Sequence, residues 1–220
     1  MKNILLSLAL TLALMPSDGY AKPAPPKQRV ELKHGSHRTG MRTDADMQQW
    51  RDSGLGQFIH WGVYAVPGGH WNGKVFGGAG EWIRVWNEIP HDVYDNFYKQ
   101  FNPTEFDAAK WAKLAKEMGV KYMIFTTKHH DGFCMWPSKY TDYTNSPYKK
   151  DIVKELVDAY TKEGIDVHLY FSIIDWNHKG YMSGTPKTPE QKAAYEEFKK
   201  FTRNQLFELL EKYHETKGLW

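Results

Sequence analysis

Lys128-His129-His130-Asp131-Gly132-Phe133 crowds an ammonium, two imidazoles and a carboxylate directly behind an apolar run. Side by side, such groups serve three kinds of chemistry: a metal site, an acid/base site, or a polar floor for a hydroxyl-rich ligand. Neighbouring strand residues point to opposite faces, so His129 and His130 act together only if the chain turns there, as Asp131-Gly132 permits. Groups of the same character recur behind other apolar runs: His60, and Tyr170 with Asp175-Trp176. Glu81-Trp82 follows a Gly-rich insert long enough to fold back over the same place. Asp131 also reads as a turn cap, and Trp136-Pro137 as loop packing.

The elements that must position these groups form a repeating βα rhythm. Strands are expected at Leu55 to Trp61, Val120 to Thr127 and Ile165 to Ser172, with Gly218-Leu219-Trp220 opening a fourth. Between them lies a helical patch from Pro90 to Phe101. A helix then opens at Thr104-Glu105-Phe106-Asp107, with Trp111, Leu114, Ala115 and Met118 as its apolar face. The next helix runs from about Lys150 to Glu163 and turns Ile152, Val153, Leu156, Val157 and Tyr160 inward. A long helix starts at Thr188-Pro189-Glu190-Gln191, with Phe198, Phe201, Leu206, Leu209 and Tyr213 as its stripe.

Strands that share a direction bring His60, His129, His130 and Tyr170 to one rim. The fold class is therefore α/β, a partial (β/α)8-like TIM barrel of about three βα units plus the start of a fourth strand. A closed barrel takes roughly 250 residues, so the chain reads as a fragment, an incomplete gene product or one part of a split enzyme. An open half-sheet exposes strand edges, which weighs against stable folding alone.

Residues 1–21 have a Lys near the start, an apolar core from Ile4 to Met15 and small residues around Ala21, the pattern of a cleaved signal peptide. The apolar run is too short to span a bilayer, so no membrane association is expected after cleavage. Residues 22–41 form a Pro-rich, polar linker, and 42–220 the barrel part. Cys134 is the only cysteine, so export without disulfides points to a bacterial periplasm or secretion.

A net charge of +3 without a block of like charge excludes nucleic acid as a partner. Nine Trp and thirteen Tyr offer faces for stacking on sugars, although cores use the same residues. Strand one offers only His60 as a ligand, and no other closely spaced ligand pair appears, so no catalytic metal and no cofactor is expected. A serine nucleophile is excluded by the absence of a Gly-x-Ser-x-Gly elbow.

Gly56-Gln57-Phe58-Ile59-His60-Trp61-Gly62-Val63-Tyr64-Ala65-Val66-Pro67 resembles the opening strand of the α-L-fucosidases of glycoside hydrolase family 29. So do Glu81-Trp82, Phe101 to Asp107, Lys121 to Trp136, and Tyr170-Phe171-Ser172 with Asp175-Trp176. The resemblance covers Trp50 to Trp220. It implies a barrel that releases L-fucose from fucosylated oligosaccharides or glycoconjugates with retention of configuration, which requires two carboxylic acids. It further implies that His60, Glu81, Trp82, His129, His130, Tyr170 and Trp220 line the fucose subsite.

In the family the nucleophilic aspartate follows a Leu-Trp pair by two residues, and Leu219-Trp220 is that pair here. Nucleophile and acid/base are accordingly expected beyond Trp220, in the other half of the barrel. Two other readings stay open: a non-catalytic fucose-binding half-barrel, or a related glycosidase acting on a galactose-like sugar.

Overall fold

The computed structural model describes residues 44–220; the leader and the linker expected before them lie outside that range. Helix α1 (Asp44–Asp52) leads into strand β1 (Gly56–Ile59). A small antiparallel ribbon follows, β2 (His70–Trp71) and β3 (Lys74–Val75), then short helices α2 (Ile83–Trp86) and α3 (His91–Tyr94). The remaining order is regular: α4 (Ala108–Glu117), β4 (Tyr122–Lys128), α5 (Ile152–Lys162), β5 (Asp166–Phe171), α6 (Pro189–Lys212) and β6 (Gly218–Leu219). Strands β1, β4, β5 and β6 form one sheet in that order, every pair parallel. This is an α/β fold with helical crossovers between neighbouring parallel strands.

Pairing in register separates the two faces of the sheet. Gln57, Met123 and Val167 form one cross-strand row and Ile59, Phe125 and Leu169 the next. These rows meet the helices, and Met123, Phe125, Val167 and Leu169 are buried in the main apolar cluster with Ile152, Val153, Leu156, Val157 and Tyr160 of α5. The alternate rows, Phe58 with Ile124 and Thr126 with Tyr170, occupy the opposite face. All five inward positions expected for α5 are buried.

Helix starts follow local chemistry. Asp107 caps α4 by accepting from the Lys110 N–H at 2.9 Å, and Asp151 caps α5 by accepting from Lys154 N–H at 3.0 Å. Thr188 and Gln191 form the expected capping box at α6, with Pro189 in the first turn. Asp151 also accepts from Tyr213 Oη at 2.8 Å and pairs with Lys212 at 2.7 Å, which fastens the end of α6 to the start of α5.

Several expectations need correction. Helix α4 starts at Ala108, just after its cap Asp107, rather than at Thr104. Its buried residues are Ala108, Ala112 and Ala115, whereas Leu114 and Met118 are 57% and 62% exposed. Leu114 borders an open cavity with Gln57 and Ile59 of β1. On α6, Thr202 and Gln205 are buried beside Phe198 and Leu209, while Phe201 and Leu206 are only half-buried. Strand β4 runs one residue further than expected, to Lys128.

Candidate functional site

The site begins with an irregularity in β4. Thr126 pairs with Tyr170, but Lys128 pairs with Phe171, so the register slips by one residue at Thr127. A bulge of this kind reverses the alternation beyond it. Lys128 therefore turns into the helix layer, where its Nζ donates to Asp175 Oδ2 at 2.9 Å and Gln205 Oε1 at 3.2 Å. It also lies 4.4 Å from the centre of the Phe171 ring. His129 goes to the other face.

Gly132, at φ +85°, then turns the chain, and its N–H donates to His129 O. A Cβ at Gly132 would lie 2.3 Å from Asp175 Oδ1, so glycine is required by contact as well as by conformation. The turn keeps both imidazoles on the site side, with ring centres 4.2 Å apart.

His60 is set by Thr126. Its hydroxyl accepts from Trp61 N–H at 3.0 Å and reaches Trp61 O at 3.1 Å, holding the chain beyond β1 against β4. The Trp61 indole packs among Phe101, Phe106 and Trp111. The preceding His60 consequently faces the site, with its ring 5.6 Å from His129 and 6.0 Å from Tyr170. Tyr170 stacks on His129 at 5.4 Å and 14°. Glu81 comes from the insert, and His60, Glu81 and His129 bring one donor atom each within 4.8 Å of one another.

Trp82 forms the wall. Its indole stacks on Trp86 at 5.8 Å and meets His130 and Trp176 edge-on at 5.0 and 5.4 Å. Trp220, 65% exposed, stands at the margin with its indole 5.7 Å from Phe58. The seven candidates thus share one face, with Trp220 joined through Phe58 rather than directly.

Burial sets the charge state of this pocket. Desolvation pushes His129 down from 6.5 to about 3, with the neighbouring His130 and His60 adding to the effect. His130 is lowered too, mainly by burial, against a raising influence from Glu81. Both rings are therefore neutral at pH 7. His130 Nδ1 lies 2.7 Å from Ser172 Oγ, which is itself tied to Ile174 N–H and O. Burial likewise raises Tyr170. The arrangement presents neutral donors and acceptors, a carboxylate and an indole wall, as a sugar with an apolar side requires.

Asp131 and Asp175, candidates for the rim from their position in the chain, take no part. Asp131 accepts from Tyr94 Oη and Phe133 N–H, both at 3.0 Å, and burial pushes it up to about 6. Asp175 pairs with Lys128 and caps a turn by accepting from Asn177 N–H at 3.1 Å and His178 N–H at 3.0 Å. Glu81 is the carboxylate that remains. Trp136 is buried, with its indole N–H donating to Glu208, and Cys134 is buried beside Gln205.

Phe58 and Ser172 were missed from the sequence. Phe58 touches His60, Tyr170 and Trp220, and its signal was available: two residues before His60 is the same strand face. Ser172 carries no such signal, since only the turn beyond β5 brings it to His130.

Comparison with known proteins shows the family. The profile of the α-L-fucosidase family matches residues 28–220. An α-L-fucosidase from Arabidopsis thaliana is 34% identical over 177 residues, 78% of this chain and 29% of its own length. The human tissue α-L-fucosidase is 37% identical over 147 residues, 60% of this chain and 31% of its own. A solved GH29 α-L-fucosidase from Bacteroides thetaiotaomicron is 54% identical, with a TM-score of 0.78 over 87% of this chain and 44% of that one. The chain spans about a third of the length of these curated relatives and under half of that structure. With the profile match running across all of its described residues, the chain belongs to the α-L-fucosidase family.

Proposed function

We propose that this chain supplies the fucose-recognition half of a retaining α-L-fucosidase acting on fucosylated glycans. The observation that carries the reading is the convergence of His60, Glu81 and His129 within 4.8 Å beneath the Trp82 wall. His60, Glu81, His129, His130 and Tyr170 hydrogen-bond the sugar hydroxyls. Trp82 and Trp220 cover its apolar side. Support also comes from a related solved structure, the Lactobacillus casei α-L-fucosidase in complex with α-L-fucose, 30% identical with a TM-score of 0.70 over 79% of this chain.

In this reading β1, β4, β5 and β6 are consecutive staves of an eight-stranded barrel, and the site lies at their C-terminal ends. Retaining hydrolysis needs two carboxyl groups about 5–5.5 Å apart. Among the described residues the site offers Glu81 alone, because Asp131 and Asp175 are committed to turns and to Lys128. The nucleophile and the acid/base are assigned to chain outside these 220 residues. Residues 1–21 support export to the periplasm or beyond.

Saturation-transfer NMR with L-fucose on the 220-residue chain tests recognition, and an aryl α-L-fucoside tests turnover. Fucose signals without turnover are expected. Turnover abolished by Glu81→Gln would place a catalytic carboxylate where we place a binding one.

A further inference from the structure

The same three residues have a second use that sugar recognition does not require. His60, Glu81 and His129 offer two imidazoles and a carboxylate whose donor atoms lie within 4.8 Å of one another. His129 is only 5% exposed, and its buried Nδ1 has no hydrogen-bond partner. An imidazole in this position is already desolvated, so a ligand that accepts its lone pair displaces no protein hydrogen bond from that atom. Two histidines and one carboxylate form a donor set that suits Zn²⁺ and Cu²⁺ rather than Mg²⁺ or Ca²⁺.

The geometry needs modest adjustment. A tetrahedral ion with bonds of about 2.0–2.1 Å holds its ligand atoms roughly 3.4 Å apart. His60 is exposed and Glu81 half-buried, so both side chains have room to close in on His129, which β4 and the Gly132 turn hold fixed. Tyr170, stacked on His129, and the Trp82 wall border the same space.

We propose that His60, Glu81 and His129 form a binding site for one Zn²⁺ or Cu²⁺ ion, and that the ion and the sugar exclude each other there. The ion is not a catalytic cofactor in this reading. It makes the pocket an inhibitory site for transition metals of the nitrogen-preferring kind. Ion binding stands on the residues alone, and only the exclusion rests on the fucose reading.

The test is isothermal titration of the full chain with Zn²⁺, and electron paramagnetic resonance with Cu²⁺ as the probe. One ion per chain is expected, with two nitrogens coupled to Cu²⁺. His60→Ala, Glu81→Gln and His129→Asn should each weaken binding at least tenfold, with circular dichroism checking the fold. His214→Gln, an exposed histidine elsewhere, should leave binding unchanged. No binding, or binding undiminished in all three variants, overturns the ion site. Added L-fucose should raise the apparent Zn²⁺ dissociation constant in proportion to its concentration. Fucose that binds by NMR without shifting Zn²⁺ affinity overturns the exclusion. Fucose that fails to bind at all overturns the function proposed above while the ion site is judged on its own titration.

Discussion

Glu81 and His129 do different work in the same pocket. Glu81 brings the charge, and a hydrogen bond to a charged group is worth about 1.5–3 kcal/mol. Glu81→Gln should therefore weaken L-fucose binding by roughly 10- to 100-fold, read by titration, with little change in unfolding free energy. His129 brings a neutral ring at a cost that shows in acid. Its pKa is about 3 folded, against 6.5 as its ordinary value, so between those limits the unfolded chain binds the proton that the folded chain refuses. Stability from this residue rises with pH from about 3 to 6.5 and is level above. Asp131 acts oppositely: raised from 3.8 to about 6, it holds its proton longer when folded, so its share falls as pH rises through that window. Denaturation of His129→Asn at several pH values should show a slope against pH that is lower than wild type by up to ~1.4 kcal/mol per unit between 4 and 6. Equal slopes would mean that His129 is charged in the folded protein.

Among the elements, β4, the turn after β5 and α6 meet at one buried lysine, Lys128. Lys128 and Asp175 are 0% and 2% exposed, and Lys128 also donates to Gln205 of α6. Removing one member leaves a charge without its counterion in the interior, so Lys128→Met should cost about 3–5 kcal/mol. Lys128→Met combined with Asp175→Asn should cost less than the two single changes summed, since neither charge is then stranded. Additive losses in urea unfolding would show that the pair has no mutual coupling. This pair also marks the limit of what the sequence disclosed. Helices and strands were legible because α5 repeats its apolar residues at helical spacing and Thr188-Pro189-Glu190-Gln191 announces α6. Strand ends placed His60, His129, His130 and Tyr170 together through direction alone. Lys128 looked like a member of that cluster and is not, because a bulge is a contest between neighbouring strands and leaves no pattern within one of them. Leu114 and Met118 fitted a helical stripe, but α4 packs through its alanines, where backbones approach closely. The Asn72-Gly73 turn of the small ribbon, both residues at positive φ, was readable as a hairpin signal and was passed over within the Gly-rich insert.

At the scale of the molecule, β1 and β6 are the two edges of the sheet among the described residues. Large apolar side chains lie near them: Leu55, Phe58, Leu219 and Trp220 are exposed, and so are Leu114 and Met118 on α4. Unpaired parallel strands flanked by apolar surface recruit other chains. The 220-residue chain should therefore associate with rising concentration, measurable by sedimentation velocity. Leu114→Lys with Met118→Glu should shift it toward monomer with less than about 0.5 kcal/mol lost on unfolding, as for surface substitutions. An unchanged sedimentation profile would locate the association elsewhere.

The slip at Thr127 makes the site's weak point a matter of length rather than identity. Substitutions around it alter one side chain at a time. A single-codon insertion after Thr127 would carry every later residue one step on, turning the Lys128 ammonium toward the pocket and the His129 ring into the helix layer beside Asp175. Divergence within this strand is therefore expected to proceed by replacement, with insertions accepted only in the loops beyond Gly132.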